Sequence, residues 1–302
     1  MIDEEKEEQL KDDSLRLIVT IMILGILLVA ISLFLIFAKK FPAIENKRKP
    51  TFTVVEKTSE ERVIEPNSEV IKAMQEKDKE AVDQALLHQY QDINDECVGI
   101  IRIDGTVLDH PLMQSKTNEA FYLSHDILKE KNGHGIPFLT LDSDLNKCGY
   151  NNVIYGHNMR WESKDVFYAL AGYENIDYYK EHPIVEVVVD GQTRQYLVFA
   201  YFISDNEDED AFRYWMYHDL STDQKFKAYM DEVYKRNWLF TDIPVDKDDN
   251  FITLSSCSME LEGLGTNRMV VMARLLREGE DITGYLECAT IDPAPYLPEK
   301  LR

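Results

Sequence analysis

Three polar residues stand at the ends of apolar, strand-like runs. His157 follows the run NVIYGHN at 152–158, Cys257 closes FITLSSC at 251–257, and Arg268 lies at the start of NRMVVMARL at 267–275. A thiol, an imidazole and a guanidinium together suit acyl transfer. Only the thiolate attacks, and a free cysteine titrates near pH 8.5. A neighbouring imidazole favours its ionisation and can then serve as base and acid. Attack on a carbonyl puts negative charge on the oxygen, which the permanently charged, forked guanidinium is suited to hold. The resulting thioester divides the transfer into two steps, and an incoming nucleophile releases it.

Each of the three also has an ordinary structural role: a strand cysteine packs as a small hydrophobe, a histidine caps a turn, an arginine pairs on an acidic surface. His157 and Cys257 are 100 residues apart, so only the fold can bring them together. Cys97, Cys148 and Cys288 have no histidine or arginine pattern at a strand end and read as structural.

The elements that must position these residues are strands. Candidate strands lie at 98–103, 107–113, 136–141, 152–156, 184–189, 194–204, 251–257 and 268–276, punctuated by Gly, Asn and Asp. The stretch VDGQ at 189–192 reads as a hairpin turn. Cys257 and Arg268 flank what reads as a connection between adjacent antiparallel strands, which puts both near one end of a sheet. Eight short strands suggest a mostly β fold closed into a barrel, which removes exposed edges. Helices are added to it. Val70, Ile71, Met74, Ala81, Val82, Ala85 and Leu86 recur at three- and four-residue steps between Ser68 and about Asp95, fitting one or two amphipathic helices. A second helical pattern, 221–237, lies between the sixth and seventh strands. Its Phe226, Tyr229, Met230, Val233 and Tyr234 are expected to pack on the barrel, and Ser221 or Thr222 to cap it.

The chain has 302 residues and a formal net charge of −22, which argues against a nucleic-acid partner because phosphate binding needs a basic surface. Four cysteines without a CxxC or a zinc-spaced Cys/His cluster make neither a disulfide framework nor a metal site, and no metal or organic cofactor is expected. The acidic run DNEDED at 205–210 reads as a solvated loop rather than a calcium site, since it lacks the glycine and ligand spacing of an EF-hand. Residues 17–38, LIVTIMILGILLVAISLFLIFA, carry no charge and are long enough to cross a bilayer. The stretch exceeds a signal-peptide core and lacks a convincing cleavage site, so it reads as a retained anchor. The organisation expected is a charged tail at 1–16, the anchor at 17–38, a spacer at 39–67, a catalytic domain with its N-terminal helices at 68–290 and a tail at 291–302. The basic residues flanking the anchor lean toward a cytoplasmic body.

The strings VIYGHNM and TLSSC, followed by RMVV, resemble the signature segments of the sortases, membrane-anchored cysteine transpeptidases of Gram-positive bacteria. The resemblance runs over about 68–290 in the right order. The helices before the first strand and the helix-bearing insertion between the sixth and seventh strands look like class B, and FYLSHD at 121–126 resembles the family's region after the second strand. It implies an eight-stranded sortase-type barrel, with His157, Cys257 and Arg268 as the catalytic residues and Ser255, Ser256 and Asn158 in contact with substrate. Ser256 replaces the usual threonine and keeps its hydroxyl. Arg274 shares strand parity with Arg268 and is the reserve candidate. The implied reaction cleaves a sorting signal near the C-terminus of a secreted protein, forms a thioester on Cys257 and passes the acyl group to an amine of the cell-wall peptide or its lipid-linked precursor. The alternatives are pilin polymerisation with a lysine acceptor and an inert tethered binding module. The resemblance also implies a single-pass membrane protein with an extracellular catalytic domain, against the charge bias.

Overall fold

Runs dense in Val, Ile, Leu and Phe become strands because β-branched and aromatic side chains fit a pleated, buried surface. In a computed structural model, which describes residues 64–158, 166–207, 211–257 and 267–299, they are β1 (Cys97–Arg102), β2 (Asp109–Met113), β3 (Phe138–Leu139), β4 (Tyr150–Tyr155), β5 (Ile184–Val189), β6 (Gln192–Asp205), a short β7 (Leu239–Phe240), β8 (Asn250–Cys257), β9 (Asn267–Leu275) and a short β10 (Thr290–Ile291). Eight of them close a barrel in the order β1-β2-β3-β4-β8-β9-β6-β5, sealed where β1 pairs with β5. β7 and β10 form a separate two-stranded ribbon. The mostly β barrel with added helices is therefore the observed architecture, and each of the eight candidate strands has its counterpart in it. Val189 pairs with Gln192 across Asp190 (φ 51°) and Gly191 (φ 73°), the two positive-φ positions of a type I′ hairpin.

The barrel interior holds Ile101, Leu112, Ile154, Val187, Val198, Ile252, Leu254 and Val271 among others. Further elements cover the outside. α1 (Ser68–Glu76) and α2 (Lys79–Ile93) are separated by Lys77 in the left-handed region and Asp78, whose carboxylate caps α2 by accepting the Ala81 N–H bond. Val70, Leu86, Leu87 and Tyr90 of these helices pack with Ile100, Met113 and Val188 of the barrel. α3 (Ile176–Glu181) precedes β5, and α4 (Asp223–Arg236) lies between β6 and β8 with Thr222 as its N-cap. α4 buries Tyr229, Met230 and Val233 against Phe199, Phe251, Val270 and Met272, while Tyr234 faces solvent. This cover explains why β6 is buried on both faces from Tyr196 onward and reads as a continuous apolar run rather than an alternating one.

One expectation is corrected. Among the described residues no helix is long and apolar enough to cross a membrane. The longest, α2, has 15 residues and spans about 22 Å, short of the roughly 30 Å hydrocarbon core. The single-pass membrane localisation with an extracellular domain thus finds no support in the described structure, and the stretch 17–38 on which it rested lies outside it. Residues 208–210 of the acidic run also lie outside the described residues.

Candidate active site

β4 and β8 run parallel and β8 and β9 run antiparallel, so three chain segments meet along one edge of the barrel. Cys257 is the last residue of β8, and its register partner on β9 is Arg268. The last β4–β8 pair is Tyr155 with Ser255; His157 stands two residues beyond the first and Cys257 two residues beyond the second. The 100-residue separation is closed by this parallel pairing alone. By alternation, Phe251 and Ser255 share one face of β8, the outer face covered by α4 and by the segment around Tyr214.

Local contacts carry the pairing past the end of the ladder. The Gly156 N–H donates to the Ser255 carbonyl at 3.3 Å, and the Ser256 hydroxyl donates to the Gly156 carbonyl at 2.7 Å. Gly156 has no room for a side chain, because a Cβ there would lie 2.8 Å from the Phe167 ring. Phe167 in turn donates its N–H to the His157 carbonyl at 2.9 Å. The chain at His157 is thus fixed from both sides.

The imidazole of His157 is half-buried. Its Nε2 lies 2.8 Å from the carbonyl oxygen of Leu123, and since a carbonyl only accepts, Nε2 carries the hydrogen. In the neutral ring the lone pair is therefore on Nδ1. Burial lowers the His157 pKa below its ordinary 6.5, as do the nearby His134 and the Arg268 guanidinium, while the Leu123 hydrogen bond acts in the opposite sense. The ring is mostly neutral at pH 7. That Arg268 acts on both His157 and Tyr155 puts its charge at the β4 side of the site. Arg268 is partly exposed, and its Nη1 donates to the Asn267 carbonyl at 2.9 Å.

Arg274 sits elsewhere. Its partner on β8 is Phe251, at the opposite end of the strand pair and roughly 20 Å from Arg268 at about 3.4 Å per residue. It is fully buried, donates from Nε to the Pro244 carbonyl at 2.8 Å and grips both carboxylate oxygens of Glu280.

Of the three residues expected to contact substrate, Ser255 is 1 % exposed with Oγ 2.6 Å from the Tyr214 hydroxyl, Ser256 is 2 % exposed and bonded to Gly156, and Asn158 is 2 % exposed beside His157. Two participants have no side-chain signature: the Leu123 carbonyl, and the Tyr214 segment whose backbone oxygen accepts from Asn151 Nδ2 at 3.0 Å. FYLSHD contains Leu123, but no residue type announces a main-chain acceptor. Among the described residues no group of three or more His, Cys, Asp and Glu side chains is placed to hold a metal ion.

No family model matches the chain. It is 28% identical over 185 residues to a sortase B of Staphylococcus aureus, covering 61% of this chain and 72% of that protein. It is 28% identical over 190 residues to a sortase B of Listeria monocytogenes, covering 63% of this chain and 74% of that protein. Among solved structures it is similar to a Staphylococcus aureus sortase B–substrate complex, with TM-score 0.57 and 25% identity over 69% of this chain and 91% of that one. It is also similar to a sortase B complexed with triglycine, with TM-score 0.58 and 25% identity over 69% of this chain and 93% of that one. Similarity over most of the relatives' length and a shared eight-stranded barrel support a class B sortase and indicate a sortase-type cysteine transpeptidase.

Proposed function

We propose that the chain cleaves a sorting signal near the C-terminus of a secreted protein, holds the upstream part as a thioester on Cys257, and transfers it to an amine of the cell-wall peptide or its lipid-linked precursor. One observation supports this above the rest: the register sets Cys257 opposite Arg268 and level with His157 on the parallel neighbour strand. The substrate complex and the triglycine complex of sortase B relatives support a peptide donor and a small unhindered amine acceptor.

In this reading His157 Nδ1 takes the proton of the Cys257 thiol, and the sulfur attacks the scissile carbonyl. The carbonyl π pair moves to oxygen, and Arg268 donates to the oxyanion. The tetrahedral species collapses, the C–N bond breaks, and the His157 imidazolium gives its proton to the leaving amine. The acceptor amine then attacks the thioester, His157 receives the amine proton, the C–S bond breaks, and the imidazolium returns that proton to the departing sulfur to restore the thiol. Arg268 holds this role and Arg274 does not, since the Arg274 fork is committed to Glu280 far from position 257. Ser255 and Ser256 hold the strands rather than touch the substrate, because both hydroxyls are bonded inside the fold.

The test is intact-mass spectrometry of the protein incubated with a small library of sorting-signal peptides, followed by triglycine or a lysine-containing pilin peptide. The expected result is an acyl adduct on Cys257 that triglycine resolves and that Cys257→Ala lacks. Cleavage by Cys257→Ala would overturn the reading, and release by the lysine peptide alone would reassign the acceptor.

A further inference from the structure

The bond that orients His157 depends on a residue with no side chain. The Leu123 carbonyl that accepts the Nε2–H belongs to a short 3-10 turn, Phe121–Leu123. That turn is clasped by the segment leading into β3: Asn132 N–H donates to the Ser124 carbonyl at 3.0 Å and Ile136 N–H to the Tyr122 carbonyl at 3.0 Å. Gly135 lies inside the clasp at φ +59°. A Cβ on it would stand 2.6 Å from the Leu123 oxygen and 2.6 Å from the Tyr122 oxygen. The two cannot yield equally. Tyr122 is fully buried, and its hydroxyl donates to Glu96 at 2.5 Å and accepts from Asn94 Nδ2 at 2.9 Å. Leu123 is 40% exposed. A collision relieved at the less constrained Leu123 would swing its carbonyl off the imidazole.

We propose that Gly135 is a positioning residue for the transfer reaction: its missing side chain lets the Leu123 carbonyl stand within reach of His157 Nε2–H, which fixes the imidazole tautomer and keeps Nδ1 as the base. The proposal rests on the reading of His157 as the acid–base group. Among the described residues, the charged and titratable groups that act on His157 are His134 of the same clasp and Arg268 of β9, with position 257 level with it on β8. The Leu123 carbonyl also stabilises the imidazolium, so its loss lowers the His157 pKa.

The test compares Gly135→Ala with two controls. A Cβ at Gly133 meets nothing within 4 Å, and one at Gly279 meets nothing although its φ is +69°, so Gly133→Ala reports a change in the same loop and Gly279→Ala reports left-handed strain without collision. Nitrogen-15 spectra of the imidazoles and the pH profile of kcat/KM are the readouts. Wild-type His157 is expected as the Nε2–H tautomer. Gly135→Ala is expected to lose that signature, to drop the kcat/KM plateau by roughly 10–100-fold through misplacement of the base, and to shift the acid limb to lower pH. Both controls should stay within about twofold. An Nδ1–H tautomer in the wild-type protein overturns the proposal even if Gly135→Ala fails to fold. So does a folded Gly135→Ala with unchanged ring signals and acid limb. Full activity in His157→Ala would sink the catalytic reading instead, and the ring spectra would still decide what Gly135 does.

Discussion

The Ser256 hydroxyl donates to the Gly156 carbonyl at 2.7 Å, one residue before Cys257 on β8 and one before His157 after β4. The last ladder pair is Tyr155 with Ser255, and the bond that follows it, Gly156 N–H to Ser255, is long at 3.3 Å. The Ser256 bond is thus the strong link holding positions 157 and 257 in register.

Removing it should therefore cost both stability and activity. Ser256→Ala leaves the buried Gly156 carbonyl short of a donor and should lower stability by about 1–3 kcal/mol. It should lower kcat/KM by roughly 10-fold or more, because the reacting groups lose alignment. Ser256→Thr keeps the hydroxyl and should retain most activity. Denaturant melts and peptide-cleavage kinetics on both variants check this; equal kinetics for Ala and Thr would leave the link without a catalytic consequence.

The two arginines of β9 should fail in opposite ways. Arg268→Ala removes a partly exposed charge at the site and should cut kcat by about 10²-fold with little change in melting. Arg274→Ala strands the Glu280 carboxylate and breaks a buried, two-pronged ion pair, a change that typically costs about 3–5 kcal/mol. Its folded fraction should turn over normally. Differential scanning calorimetry and single-turnover assays separate the two, and a stable but inactive Arg274→Ala would exchange the roles.

Much of this was legible in the chain because barrel strands are punctuated by Gly, Asn and Asp and bounded by polar residues. His157, Cys257 and Arg268 could be singled out since each ends or begins an apolar run. Strand parity alone could not separate Arg268 from Arg274, as both lie on one face of β9; the difference is the Glu280 carboxylate waiting at the far end. β7 and β10, two residues each and outside the barrel, had no counterpart among the candidate strands. The bonds of Ser255 to Tyr214 and of Ser256 to Gly156 were not legible, because they depend on elements 41 and 100 residues away. The Leu123 carbonyl and Gly135 were illegible for a simpler reason. Main-chain geometry sets the imidazole, and side-chain type does not encode it.

The cation at Arg268 should be readable in the titration of His157. Burial first, then His134 and Arg268, hold the folded pKa below the ordinary 6.5. In the proposed mechanism the neutral ring is the base, so kcat/KM should rise with pH through that lowered value and level off above it. Stability has the same sign: above 6.5 the ring is neutral in both states, and below it the unfolded chain takes up a proton that the folded protein refuses, so stability falls with pH until the folded pKa is passed. Removing the guanidinium lifts one of the influences favouring the neutral form. Arg268→Ala should therefore move the His157 midpoint up toward 6.5, opposite in sign to the shift expected from losing the Leu123 acceptor. Imidazole nitrogen-15 titrations read the midpoint without needing turnover. A midpoint that stays put or falls in Arg268→Ala would mean that the two side chains do not share one site.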